Sequence, residues 1–234
     1  MGRSAVARLG SVIYSSLASA THHVFAPIPE ARRTYEIQVQ RPCCDNVGRR
    51  DAAGSNLDGT THGFQTTGAS LIIRNETPAD TEAITEVTIA AFETLPVSNQ
   101  TEQHIIRALR AAGTLTISLV AEIDGRVVGH VAFSPVTISD GTEDWYGLGP
   151  VSVLPEYQRQ GIGSSLIRMG LSLLRERGAR GCALVGDPDY YVRFGFQSYP
   201  ELVHEGVPQD AFLALPFGGK VPQGTVVFHE AFGA

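Results

Sequence analysis

Hydrophobic and polar positions along the chain fall into two textures, and the change comes near residue 68. Before it, apolar groups such as Val12-Ile13-Tyr14 are short and isolated. Breakers recur at Pro27, Pro29, Pro42, Gly48, Gly54, Gly59, Gly63 and Gly68. Such a segment has too little apolar surface to offset its ordering entropy, so residues 1–68 are expected to be a low-order N-terminal extension. From Ala69 on, periodicity sets in. Leu71 to Arg74 reads as a strand. Thr77-Pro78-Ala79-Asp80 opens a helix, with Thr77 as cap, Pro78 at the first helical position and Asp80 bonding back to the cap. Ile84, Val87 and Ala91 then recur on one face. A second helix starts between Asn99 and Glu102, with Ile105, Leu109 and Ala112 as its buried stripe and Gly113 as its stop.

Alternation replaces the helical period after that. Leu115, Ile117, Leu119, Ala121 and Ile123 are spaced as a strand, Asp124-Gly125 turns the chain, and Val127 to Ile138 returns it. Asp140-Gly141 makes the next turn before a strand from Trp145 to Val153. A long helix is predicted over about 161–177, with Gly178 past its end. Ala183-Leu184-Val185 is a short strand, Pro188 to Phe194 a brief helical turn, and Thr225 to His229 the last strand. Antiparallel hairpins are thus combined with one parallel crossover, which gives an α/β domain over residues 69–234.

Composition narrows the function classes. The chain has 234 residues, 43% of them apolar and 18% charged, enough for a sizeable core. No stretch reaches the roughly 18 uninterrupted apolar residues of a membrane span, so no membrane association is expected. The net charge is −6 and no basic block is present, so nothing signals nucleic-acid binding. From Ala69 on, 11 basic residues face 19 acidic ones. That excess reads first as a solubility feature and, as the alternative, as an attraction for a cationic amine. Cys43, Cys44 and Cys182 cannot all pair and lack zinc-site spacing, which suits a reducing compartment such as the cytoplasm. The first 29 residues hold no acid, carry Arg3 and Arg8 and are rich in serine, like an organelle transit peptide. Import therefore stays open, beside a lineage-specific tail or a start site assigned too early.

Candidate chemistry is concentrated between Val151 and Phe196. A strand ends at Pro155, a polar loop Glu156-Tyr157-Gln158-Arg159-Gln160 follows, and Gly161-Ile162-Gly163 opens a helix. Glycines there let backbone approach a ligand, and the free N–H groups and dipole of a helix start favour an anion. Arg159 can add a bidentate contact, so the site suits a pyrophosphate. A dinucleotide-binding oxidoreductase is the competing reading, with Asp187 as the ribose acid. It is weakened by Leu166 where a third small residue is needed and by the hairpins that precede the motif.

Gln158-Arg159-Gln160-Gly161-Ile162-Gly163 resembles the Q/R-x-x-G-x-G/A acetyl-CoA signature of the Gcn5-related N-acetyltransferases. Gly149 to Pro155 looks like that family's fourth strand, and Tyr190-Tyr191-Val192-Arg193-Phe194-Gly195-Phe196 resembles its F-Y-x-x-x-G-F segment. Gly-Asp-Pro-Asp-Tyr-Tyr followed by Arg-Phe-Gly-Phe points to the YhbS-like branch. The resemblance covers about residues 71–230. It implies a mixed, mostly antiparallel central sheet flanked by helices, with a V-shaped cofactor cleft between the fourth and fifth strands. It also implies acetyl-CoA as cosubstrate, no metal, and direct attack by an amine on a small molecule or protein. Cofactor contacts would come from Val151, Ser152 and Val153 of the strand and from Gln158, Arg159, Gln160, Gly161, Ile162, Gly163 and Ser164 of the loop and helix start. Tyr191 would protonate the leaving thiolate, and Cys182 would be a core residue rather than a nucleophile.

The sequence departs from the family in two places. Gly186-Asp187-Pro188 stands where many relatives carry a pantetheine-binding Asn, and no glutamate opens the Trp145-Tyr146-Gly147-Leu148 strand. Glu102, Glu143, His130 or a water chain is left for the general base. A CoA-binding regulatory or toxin-like module without turnover is the alternative from another class, and a homodimer stays open.

Overall fold

The protein is described by a computed structural model over Thr34–Ile37, residues 70–93, Leu95, Ser98 and residues 100–233. In chain order the elements are β1 (Thr34–Ile37), β2 (Leu71–Asn75), α1 (Thr81–Phe92), α2 (Glu102–Ala111), β3 (Ile117–Ile123), β4 (Arg126–Pro135), β5 (Thr137–Ile138), β6 (Trp145–Val153), α3 (Ile162–Glu176), β7 (Gly181–Val185), α4 (Pro188–Tyr191), β8 (Leu202–Val203), β9 (Phe212–Pro216) and β10 (Gly224–Val227). The main sheet runs β1-β2-β3-β4-β6-β7-β9, and a small second sheet runs β5-β10-β8. Within the main sheet only β6 and β7 pair in parallel. Counted from Leu71, the fourth and fifth strands of this sheet are β6 and β7.

Local chemistry accounts for most boundaries. Pro78–Asp80 forms a 3-10 turn ahead of α1. The Asp80 carboxylate accepts from the Thr77 N–H at 2.7 Å and is clasped by both terminal nitrogens of Arg74 at 2.7 and 2.8 Å. That ion pair holds the Asp80 carboxyl well below its ordinary range and ties the start of α1 to β2. Asp124 (φ 51°) and Gly125 (φ 79°) both turn left-handed in the β3–β4 hairpin, as a tight two-residue turn requires.

Three expectations change in the structure. Ala112 is exposed at the end of α2, and Ile106 takes its place beside Ile105 and Leu109 in the buried stripe. The strand expected over 127–138 breaks after Pro135, and Thr137–Ile138 leaves the main sheet to pair with β10. The last strand therefore belongs to the small sheet, not to the main one. Thr34–Ile37, inside the segment expected to be of low order, is an edge strand antiparallel to β2. The remainder of residues 1–68, including Cys43 and Cys44, lies outside the described residues.

The two faces of the main sheet carry different cover. A β-carbon at Gly129 would meet Leu166 and Ile162, and Gly170 lies directly against the Phe133 ring, so Gly129 and Phe133 face α3. The alternate residues of β4 and their partners face the other way. Ser152, paired with His130, shares a hydrogen bond of 3.1 Å with Thr88 of α1. On that second face the small sheet adds its own core of Val136, Ile138, Trp145, Ala183, Leu202, Phe212 and Val226.

Candidate active site

The site begins where β6 and β7 part. They pair only over Trp145–Gly147 with Gly181–Ala183, and beyond Gly147 the β7-facing edge of β6 is unpaired. On its other side β6 stays joined to β4, but three residues of β6 span what two residues of β4 span. Val151 opposes Val131 and Leu148 opposes Phe133. The extra residue is a bulge at Gly149–Pro150, and Gly149 has φ 149°, a conformation open to glycine. A bulge bends a strand, and here the bend coincides with the separation of the two parallel strands. The result is a wedge in which β6 beyond Gly147 has no β7 partner, so backbone groups on that edge require partners of their own.

At the wide end of the wedge the loop expected to hold a pyrophosphate winds into α3. Arg159 (φ 60°) and Gly161 (φ 85°) both take left-handed backbone, so peptide groups turn successively inward. The first intrahelical bond runs from the Ser165 N–H to the Gly161 carbonyl at 2.9 Å, which leaves the N–H groups of Ile162, Gly163 and Ser164 without helical partners. Gln158 donates to the Val153 carbonyl at 2.9 Å and Gln160 to the Glu156 carbonyl at 3.0 Å. Their side chains thus shape the loop, while Arg159 is the loop's exposed cation. The Ser152 side chain turns away from the wedge to Thr88, so only its backbone can serve a ligand there.

Both tyrosines of the 190–191 pair border the wedge, at different depths. A β-carbon at Gly163 would lie 3.5 Å from the Tyr190 hydroxyl and 3.6 Å from Val153, so Tyr190 reaches across to the helix start. Tyr191 packs deeper, edge-on to Tyr190 at 5.0 Å and against Phe194 and Phe196 at 6.2 and 6.0 Å. Its ring sits so close to Gly186 that no side chain fits there. Gly186 follows the last residue of β7, where that strand has left β6, so Tyr191 stands on the β7 wall of the wedge. Burial pushes its phenol above the ordinary value of 10.0, which keeps the proton on. Asp187 caps α4 by accepting from the Asp189 N–H at 2.9 Å, which gives it a structural role in place of the ribose contact a dinucleotide site would need. Cys182 is fully buried, and burial raises its thiol, as suits a core residue.

The candidate bases are scattered. Glu143 is exposed in the turn before β6, six residues short of the bulge, and at roughly 3.3 Å per strand residue this leaves it well outside the wedge. Glu102 is half-buried at the start of α2, with both oxygens accepting from the Ser98 hydroxyl at 2.7 and 2.9 Å. His130 is fully buried at the centre of β4, 2.7 Å from the Ser118 hydroxyl and 3.7 Å from Glu76. Desolvation lowers the His130 pKa, and Glu76 opposes that only in part. Burial disfavours the Glu76 carboxylate, but His130, Arg110 and Ser118 together outweigh it and hold Glu76 at about 2. Sequence reading passed over Glu76, Arg110 and Ser118, whose 42-residue separation conceals the contact. It named Gly186 and Tyr190 without seeing that one lies under the Tyr191 ring and the other reaches the start of α3.

Comparison with known proteins shows the family. The model of the Acetyltransferase (GNAT) family matches residues 82–196. The uncharacterized N-acetyltransferase YhbS of Escherichia coli strain K12 is 38% identical over 128 residues, which is 54% of this chain and 74% of that protein. A GNAT family acetyltransferase from Brucella melitensis, solved in complex with acetyl-CoA, is 54% identical and has a TM-score of 0.62, covering 69% of this chain and 97% of its own. Escherichia coli YhbS in complex with CoA is 32% identical with a TM-score of 0.65, covering 77% and 97%. The chain belongs to the GNAT acetyltransferase family, and its relatives place it in the YhbS-like branch. Among the described residues no group of His, Cys, Asp and Glu could hold a metal ion, and no helix is long and apolar enough to cross a membrane.

Proposed function

We propose that this chain moves an acetyl group from acetyl-CoA directly to an amine, with the donor laid along the open edge of β6. The observation that carries the reading is the wedge itself: unpaired β6 backbone leading to the unpartnered N–H groups of α3. A pantetheine arm is a chain of amides and can complete the β6 edge as a missing strand would. The N–H groups of Ile162, Gly163 and Ser164 and the Arg159 side chain take the pyrophosphate, each charge-assisted bond contributing roughly 1.5–3 kcal/mol. An amide at the bulge polarises the acetyl carbonyl. A neutral amine attacks that carbon, the carbon–sulfur bond breaks, Tyr191 gives its proton to the departing thiolate, and the proton shed by the nitrogen returns through water to the Tyr191 phenolate. The Brucella and Escherichia coli structures, which hold acetyl-CoA and CoA, support the choice of donor.

Titration calorimetry with CoA and with NAD tests the ligand, and release of free thiol from acetyl-CoA across a set of amines tests turnover. CoA binding with amine-dependent thiol release is the expected result. NAD binding in place of CoA would remove the reading, and CoA binding with no turnover on any amine or protein would favour a regulatory module instead.

A further inference from the structure

The wedge has a second side, and the chain's C-terminal end builds it. Ser134 pairs with Gly147, and Ser134 lies on the β4 face shared with His130, so Gly147 opens toward α1 and α2 rather than α3. There the Phe228 ring lies on Gly147, 2.6 Å from where a β-carbon would stand. The Phe232 ring lies 3.9 Å from the corresponding point on Gly149, within the bulge. The two rings are 5.4 Å apart and tilted by 57°. The turn Glu230–Gly233 is anchored on α2, where Ala231 and Phe232 join Ile105 and Leu109 in one apolar cluster. Glu102 starts that same helix, one turn before Ile105 on the same side.

Two further observations indicate that something polar arrives on this side. Ser134 Oγ is buried and has no hydrogen-bond partner among the described residues, and neither has Thr101 Oγ1 at the head of α2. Buried hydroxyls in folded proteins nearly always have a partner. With donor groups on the α3 side of the wedge, a nucleophile has the opposite side from which to reach the bulge. That side offers aromatic rings, two unpartnered hydroxyls and one carboxylate.

We propose that Phe232, with Phe228 beside it, is the acceptor-selecting wall of this site and favours primary amines carried on an aromatic stem. The rings take the stem edge-on, and Glu102, one helix turn from the Ile105–Phe232 cluster, draws the amine in as the ammonium ion. The proposal rests on the acyl-transfer reading, and the test separates the two. The full chain is first titrated with CoA, then, saturated with CoA, with 2-phenylethylamine and with n-butylamine as probes. The expected result is binding of 2-phenylethylamine about tenfold tighter than n-butylamine, the scale of one good aromatic contact. That preference should disappear in Phe232→Ala and in Phe232→Leu, with CoA affinity unchanged. The leucine variant keeps the apolar anchor on α2 and removes only the ring. Equal binding of the two amines to the unaltered chain, or a preference that survives in Phe232→Leu, overturns the proposal while leaving acyl transfer intact. Failure of the unaltered chain to bind CoA at the first step removes the acyl-transfer reading and this proposal with it.

Discussion

On the α3 side of the wedge the groups available to a ligand are mainly backbone, whereas on the α2 side they are side chains. The α3 side consists of the free edge of β6, three helix-start amides and a loop shaped by Gln158 and Gln160 bonding to its own carbonyls. The α2 side consists of Phe228, Phe232, Ser134, Thr101 and Glu102, brought from three separate stretches of sequence. A backbone site needs glycine and a local turn, and it suits a donor of fixed structure. A side-chain site can be rebuilt one residue at a time, and it suits a ligand whose structure is not fixed. On the proposed reading, the donor is met by local backbone and the acceptor by assembly at a distance.

The sharpest way to break that contrast is to give the backbone site a side chain. Gly163→Val should weaken CoA binding by about 100-fold, the loss of some two charge-assisted bonds, while melting within a few degrees of the unaltered chain. Gly170 makes the control, because its missing side chain serves packing against Phe133. Gly170→Ala should lower stability by about 1–3 kcal/mol through overpacking and leave CoA affinity unchanged in the folded fraction. Calorimetry and thermal melts on both variants would show whether the two glycines divide in this way.

Next in size is Tyr191→Phe. It removes one hydroxyl and should lower turnover at least about tenfold where chemistry limits the rate, with CoA affinity and melting temperature nearly constant. Tyr190→Phe should cost much less turnover, because its hydroxyl stands at the helix start, where the proposed pyrophosphate contacts lie. Full turnover in Tyr191→Phe would assign the proton to another group.

A smaller effect is expected from the charged cluster under the second face. Glu76→Gln leaves Arg110 without its partner and should cost about 2–3 kcal/mol, roughly 5–10 °C in melting temperature. The pH dependence follows from the lowered Glu76 pKa. Its contribution to stability is complete above the ordinary value of 4.5 and is lost as pH falls toward about 2. Acid titrations of the melting temperature should therefore be shallower for Glu76→Gln than for the unaltered chain within that window. Equal slopes would mean that the carboxylate is not held by its neighbours.

The smallest change is expected from removing residues 1–68. A chain starting at Ala69 loses the pairing of β1 with β2 at the sheet's far edge but nothing of the wedge. It should bind CoA as before and melt within a few degrees of the full chain. A fall beyond about 10 °C, more than a perturbation of a kilocalorie or so produces in a domain of this size, would show that the N-terminal segment packs on the domain.

The sequence by itself determined whatever rests on neighbours along the chain. The capped entry to α1, the Asp124-Gly125 hairpin and the strand Trp145–Val153 were all legible, because each is specified by a few adjacent residues and a period. So were the glycine loop, the Tyr190-Tyr191 segment and the fold class they imply. Tertiary structure decided whatever depends on strands separating or on residues meeting from afar. Nothing in Thr137-Ile138 announces that it leaves one sheet for another, since alternation is the same in both. The bulge at Gly149–Pro150 is visible only as a mismatch with β4, and the depth difference between Tyr190 and Tyr191 only in their packing against Gly163 and Gly186. Glu76 lies 42 residues from Ser118, and Phe232 lies 83 residues from Gly149. Local propensity acts over a few residues, whereas burial and hydrogen bonding join any positions the fold makes adjacent. For that reason the glycine loop at the start of α3 could be read from the sequence and the groups gathered beside α2 could not.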